Sequence, residues 1–438
     1  MSSTSPQPSG SSNASRRSFL KTSVAVSGAL ASGLSVARSA HAAGSDELEI
    51  GLVGCGGRGT GAADDTLSIN KGVKLVAMAD AFSDRLNGAH DQLKKKYDDR
   101  VAVPPERKFV GFDAYQKLLE TTVDLVIFAT PPGFRPIHFE AAVKAGKHIF
   151  MEKPVAVDPA GVRKVLEAAK VAKEKNLGVG VGLQRRHQAV YVETIKQLHD
   201  GAIGDILFTR VYWNGAGVWV NPRKAGQTEM EYQMRNWYYF NWLCGDHITE
   251  QHIHNLDVGN WVMNDLPVTA QGMGGREVRD GKEYGEIYDH HYVEFTYKNG
   301  AKMISCCRHI PGCWDSVSEH AHGTKGYCNP GSGRVEGENK WRYRGGGGNP
   351  YQVEHLDLVT SIREGKPYQE AEYGATSSMT SILGRMATYS GREVKWDDAI
   401  KADYDLSPKE YSFDAAPPVL PDENGNYKIA VPGKWNWA

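Results

Sequence analysis

The 438-residue sequence has little of what a membrane or a nucleic acid requires. No apolar stretch reaches the roughly 20 residues of a membrane-spanning helix. Basic and acidic residues nearly cancel, 51 against 52, and no domain-length basic stripe exists to hold nucleic acid. Cysteine is scarce: six residues, none in C-x-x-C spacing, so the common zinc and dithiol signatures are missing. Four of them, Cys306, Cys307, Cys313 and Cys328, lie near His309, His320 and His322. Buried strand cysteines and loop histidines are expected there, not a metal cluster. Acid is absent from residues 1–42, which hold Arg16, Arg17, Lys21 and Arg38, so the remainder carries 47 basic against 52 acidic residues.

That acid-free segment reads as an export signal. Residues 1–14 are rich in Ser, Pro, Gly and Asn and have the composition of a disordered stretch. Arg16-Arg17-Ser18-Phe19-Leu20-Lys21 and the mild apolar run that follows look like a twin-arginine signal. Ala40-His41-Ala42 gives a small-x-small cleavage pattern. The expectation is export to the periplasm by the twin-arginine machinery, with cleavage near Ala42. That route carries folded proteins, which argues against folding that depends on disulfides.

Residues 46–165 alternate strand and helix signals, the pattern of βαβ units and a parallel sheet. The apolar run Leu48 to Val53 enters Gly54-Cys55-Gly56-Gly57-Arg58-Gly59, a G-x-G-x-x-G loop with a strand before it and a helix after. Its glycines allow a tight turn, close approach of a pyrophosphate, and helix–strand packing. The next strand ends at Asp80, placed to accept hydrogen bonds from an adenosine ribose, which favours NAD. Arg85 leaves NADP possible. Thr130-Pro131-Pro132 and Glu152-Lys153 follow two further strands, at the carboxyl ends where ligands of such sheets sit.

With Gly54–Gly59, Thr130-Pro131-Pro132, Glu152-Lys153-Pro154, Gly245 to Asp257 and Gly323-Thr324-Lys325-Gly326 in view, the sequence resembles the Gfo/Idh/MocA oxidoreductases over roughly residues 48–400. The resemblance implies an α/β protein: an N-terminal Rossmann dinucleotide-binding domain plus a C-terminal α/β domain with an open, mostly antiparallel sheet. That second domain often mediates assembly into homo-oligomers, and the substrates are typically sugars and polyols. The organisation expected is a signal at 1–42, a Rossmann domain at 46–165, a second domain at 166–405 and a tail at 406–438.

Lys153 matches the family lysine that lies near the nicotinamide and the substrate hydroxyl, where an ammonium stabilises oxyanion charge or moves a proton. In one continuous helix, His247, Glu250, His254 and Asp257 would share a face. The family pattern is an Asp four residues before a His, with another Asp three residues on. His254 and Asp257 match it; Glu250 departs from it by one methylene. His254 is expected to be the general base, since an unperturbed imidazole titrates near 6.5, with Glu250 orienting substrate or relaying protons. His247, Asp257, Arg235 and Trp237 are expected substrate contacts, Trp237 opening the aromatic run Trp237 to Trp242 and Arg235 lying two residues before it. No metal is expected, although His247, Glu250 and His254 are a chemically adequate ligand set.

The function expected is an exported NAD(P)-dependent dehydrogenase of a sugar or polyol hydroxyl with a tightly held cofactor. The rivals are a redox-neutral glycosidase or lyase, which oxidises, eliminates and reduces again, and an inert dinucleotide-binding module.

Overall fold

Aliphatic runs set the first sheet. In the computed structural model, which describes residues 47–437, strands β1 (Leu48–Val53), β2 (Val73–Asp80), β3 (Lys108–Val110), β4 (Leu125–Phe128), β5 (His148–Met151) and β6 (Val179–Val181) pair in parallel in the order β3-β2-β1-β4-β5-β6. Helices cover both faces, so β4 is buried at every position. The order reverses between β1 and β4, which opens a crevice at their carboxyl ends. The export reading falls outside the described residues.

The expected boundary at 165 is wrong for the sheet. It falls inside the helix Pro159–Glu174, and the chain goes on to add β6 before leaving. A second, nine-stranded sheet follows, built from β7 (Ile206–Gly215), β8 (Pro267–Gly275), β9 (His290–Tyr297), β10 (Lys302–His309), β11 (Ser316–Gly323), β12 (Gly326–Asn329), β13 (Arg334–Gly337), β14 (Trp341–Arg342) and β15 (Val394–Lys395). Its order is β14-β13-β12-β11-β7-β10-β9-β8-β15, and only β7 and β10 run parallel. Alternation within β10, where Met303, Ser305, Cys307 and His309 are buried, gives one covered face. All six cysteines are free thiols.

Two late helices bind the halves together. Ala371–Ser390 is buried along nearly its whole length and packs against β8 and the helices Pro159–Glu174 and Ile253–Met263. Pro350–Arg363 returns to the first sheet's outer layer, where Leu358, Val359 and Ile362 join the cluster of Leu48, Ile50 and Leu75. Its His355 Nδ1 lies 3.0 Å from Thr66 Oγ1 on α1 (Gly57–Ile69). Residues 47–437 therefore form a single folding unit. Leu358 is fully buried, so Leu358→Ala should lower unfolding free energy by about 2–5 kcal/mol, read as a drop in the denaturant midpoint. A change within error would mean that this helix contributes nothing to the first core.

Candidate active site

The Gly54–Gly59 turn builds the floor of the site. Gly54 has φ +91, and a Cβ there would lie 2.5 Å from Thr130 N. A Cβ on Gly59 would meet Gly54 O at 1.8 Å, so helix and strand approach as closely as backbone allows. Gly56 and Gly57 face open space instead, beside the unpaired N–H groups at the start of α1, a place suited to a pyrophosphate. Asp80 is tied in place: Oδ2 accepts from Cys55 N at 2.6 Å and Oδ1 from Phe82 N at 2.8 Å. Burial raises its carboxyl above the usual range, and those two backbone donors pull it back. Each oxygen keeps a lone pair for a ribose hydroxyl, and its charge disfavours a 2′-phosphate despite Arg85 nearby.

These residues line a cavity of about 530 Å³, together with Arg58, Thr130 and Pro131. The opposite wall comes from the second half of the chain: Trp219, Asn221, Met234, Arg235 and Trp237. Arg235 lies 3.9 Å over the Phe82 ring and forks onto Asp84 at 3.0 and 3.1 Å, with Glu231 on its Nε at 3.0 Å. Arg235 and Trp237, expected as substrate contacts, thus stand at the dinucleotide cleft. The tail closes the outside: Phe413 packs on Phe82 and Phe112 at 5.3 and 4.9 Å, and Tyr411 on Phe134 at 5.7 Å. The Thr228 hydroxyl pins it by donating to Phe413 O at 2.8 Å.

Beyond the phosphate turn, Arg58 donates to Glu152 Oε1 at 2.5 Å and lies over the Tyr351 ring. Glu354 is buried beside this pair, with both oxygens unpartnered among the described residues. Burial, and then the charge of Glu152, push its carboxyl far above the usual range. Next in chain, Lys153 Nζ donates to Glu250 O at 2.5 Å and to Glu250 Oε1 at 3.0 Å, both side chains only 13 % exposed. His254 stacks on Trp213 at 5.9 Å. Burial first, then the cations Lys153, Arg185 and Arg58, hold its imidazole well below the ordinary value, so it is neutral at working pH. Lys153 is therefore tied to Glu250, and its charge acts on the His254 imidazole.

The single helical face expected for His247 to Asp257 does not form. Helix His247–Glu250 ends, Gln251 and His252 make a break, and Ile253–Met263 begins anew. Asp246 at φ +70 forces the sharp entry. His247 points into the interior, fully buried against Asp246, His291 and His309, and does not face substrate. Asp257 is also a brace and not a substrate contact: Arg186 grips both oxygens and Ser377 donates to Oδ1 at 2.7 Å. The alternative ligand set is dispersed for the same reason, since Glu250 is committed to Lys153 while His247 lies behind it.

Sequence reasoning passed over Arg185. Its guanidinium pairs with Glu319, which also accepts from Tyr191 at 2.9 Å and Asn255 at 2.6 Å. A buried acid in β11 facing an arginine after β6 leaves no local spacing signal; only the fold joins them. Phe82, Phe112 and Phe413 escaped notice for the same reason.

Residues 48–182 match an oxidoreductase family's NAD-binding Rossmann domain, and residues 195–383 match the same family's C-terminal alpha/beta domain. An inositol 2-dehydrogenase of Klebsiella pneumoniae is 28 % identical over 256 residues, 58 % of this chain and 65 % of that protein. The chain thus spans just under two thirds of that relative's length. A 2,7-anhydro-N-acetylneuraminate hydratase of Escherichia coli is 26 % identical over 244 residues, 53 % of this chain and 59 % of the relative. Among solved structures, an aldose-aldose oxidoreductase from Caulobacter crescentus complexed with glycerol shares the fold at TM-score 0.64 and 19 % identity, covering 80 % of this chain and 99 % of the other. The scyllo-inositol dehydrogenase of Lactobacillus casei with NAD(H) and scyllo-inositol gives 0.61 and 21 %, with 80 % and 99 % covered.

Proposed function

Since the chain belongs to the Gfo/Idh/MocA oxidoreductase family, we propose that it is an NAD-dependent dehydrogenase acting on a secondary hydroxyl of a sugar or polyol. One observation carries the reading: the mostly buried Lys153, next in sequence to the Glu152 that Arg58 of the glycine turn grips, is paired with Glu250 and acts electrically on a neutral His254. Bound NAD would accept the hydride from carbon. The chain's own groups handle the hydroxyl proton. Lys153 stabilises the developing alkoxide charge, Glu250 fixes the ammonium from two atoms, and His254 offers a neutral imidazole to the proton. The dinucleotide is proposed to stay bound through turnover, because Trp219, Arg235 and Trp237 wall the cleft while Phe413 seals its adenosine end. This suits a protein proposed, on Arg16-Arg17, to be exported folded to a compartment with little free NAD. On the open face of the second sheet Met273, Tyr292 and Tyr327 are exposed, a surface proposed to meet a second copy.

A cofactor that stays bound can also take its hydride back. The hydratase relative is named for a reaction without net redox change, which supports the oxidation–elimination–reduction cycle as a second reading. Mass spectrometry of products from a panel of polyols and glycosides separates the two. Net oxidised product favours the dehydrogenase; released or hydrated product with unchanged cofactor redox state favours the cycle. No turnover of either kind would sink both.

The depressed imidazole gives a pH prediction. A lowered His keeps its base form above its own low value, so kcat/KM should show no acid limb around pH 6.5, where a free imidazole titrates. A limb there that vanishes in His254→Gln would contradict a neutral, buried His254.

A further inference from the structure

Three buried side chains, two at the start of the short helix that carries Glu250 and one on β9, converge: Asp246, His247 and His291, with one donor atom of each within 4.8 Å of the others. His247 Nδ1 stands 2.8 Å from Asp246 Oδ1, and His291 Nε2 stands 3.2 Å from Oδ2. Thr388 Oγ1 stands 2.9 Å from His291 Nδ1, whereas His291 Nε2 has no aligned hydrogen-bond partner among the described residues although Asp246 Oδ2 is its neighbour. His247 also keeps one ring nitrogen, Nε2, buried and unpartnered among the described residues. A strained backbone at Asp246, φ +70, holds the carboxylate between the two rings.

Buried ring nitrogens without a hydrogen-bond partner beside a carboxylate are satisfied when a cation sits among them. We propose that Asp246, His247 and His291 form a site for a divalent transition-metal ion of the zinc, iron or manganese type. Two imidazoles and a carboxylate are a ligand set such ions take. Tetrahedral bonds of about 2.0–2.2 Å set ligand atoms about 3.3–3.6 Å apart; the His291–Asp246 pair at 3.2 Å is already near this, and the full set, spread over up to 4.8 Å, would close in on binding. The surroundings supply outer partners of the kind that orient ligands: Tyr389 O–H at 2.6 Å and Tyr288 N–H at 2.9 Å on Asp246 Oδ2, and Thr388 on His291. The site lies one helical turn before Glu250, so the ion would act as a positioning element for that carboxylate and takes no part in the hydride step. It stands independently of the substrate proposed above.

The test uses the full chain purified without chelator. Inductively coupled plasma mass spectrometry reads Mn, Fe, Co, Ni, Cu and Zn; the protein is then stripped with dipicolinate and titrated with ZnCl2 and, for its visible d–d absorption, CoCl2. About one ion per chain is expected, with at least ~10-fold weaker Zn retention in His291→Ala and in His247→Gln. Should His291→Ala not fold, the wild-type content and the His247→Gln titration decide. Wild-type protein that carries almost no metal, as purified and after titration, overturns the site. Undiminished binding in the variants places any ion elsewhere and overturns it equally.

Discussion

Lys153→Met is expected to keep its dinucleotide and turn over at least ~10²-fold more slowly, the scale of a lost proton-transfer or oxyanion group. Methionine fills nearly the same volume, so the packing around this mostly buried side chain persists while the charge disappears. The floor of the cleft, Gly54 to Gly59 and Asp80, is untouched, so the released-dinucleotide content should match wild type. Two changes act at once: the alkoxide loses its stabilising ammonium, and Glu250 loses its partner. The loss should therefore fall on kcat and on kcat/KM alike, as for an interaction made in the transition state. His254→Ala should fall on the same scale, while Glu250→Asp, one methylene shorter, should be tolerated better because Glu250 O still accepts from Lys153. Wild-type turnover in Lys153→Met places the chemistry elsewhere.

The second large effect concerns retention. Wild-type protein that is dialysed at length and then denatured should release close to one dinucleotide per chain. Survival through dialysis needs affinity well beyond micromolar, roughly −10 kcal/mol or stronger. Phe413→Ala removes the ring that lies on Phe82 and Phe112 and should turn a retained group into an exchanging one, with activity that depends on added NAD. Arg235→Ala should act in the same direction by uncovering Phe82. Wild-type protein that emerges empty and needs added NAD would refute retention and describe an ordinary exchanging dehydrogenase.

The first sheet was legible because its signals are local. An aliphatic run, a glycine turn and an acid at the next strand's end lie within about 30 residues, and each constrains backbone directly. Lys153 and His254 were singled out through the family pattern, and the structure shows what the pattern could not, that Lys153 pairs with Glu250. What failed was a fine assumption of continuity: Asp246 at positive φ and the break at Gln251 rotate His247 away from Glu250, and no helix-periodicity argument sees a two-residue interruption. Asp257 has the right chemistry for a substrate contact, yet Arg186 and Ser377, 71 and 120 residues away in sequence, claim it. Arg235 and Trp237, expected to contact substrate, line the same cavity as Asp80 and the glycine turn, and that shared wall follows from the fold, not from any local spacing.

The return of Pro350–Arg363 to the first sheet fixes an order of events during synthesis. The chain emerges N-terminus first at about 5–20 residues per second. The six-stranded sheet is complete in sequence at Val181, yet its outer layer lacks Leu358, Val359 and Ile362 until their helix has left the ribosome. At those rates the gap lasts on the order of ten seconds or longer. For that interval Leu48, Ile50 and Leu75 have an uncovered apolar flank of the kind that is prone to aggregate. The Phe413 seal arrives later still. The crevice is therefore open to a dinucleotide before Phe413 is made, and the retention proposed above can begin only after it.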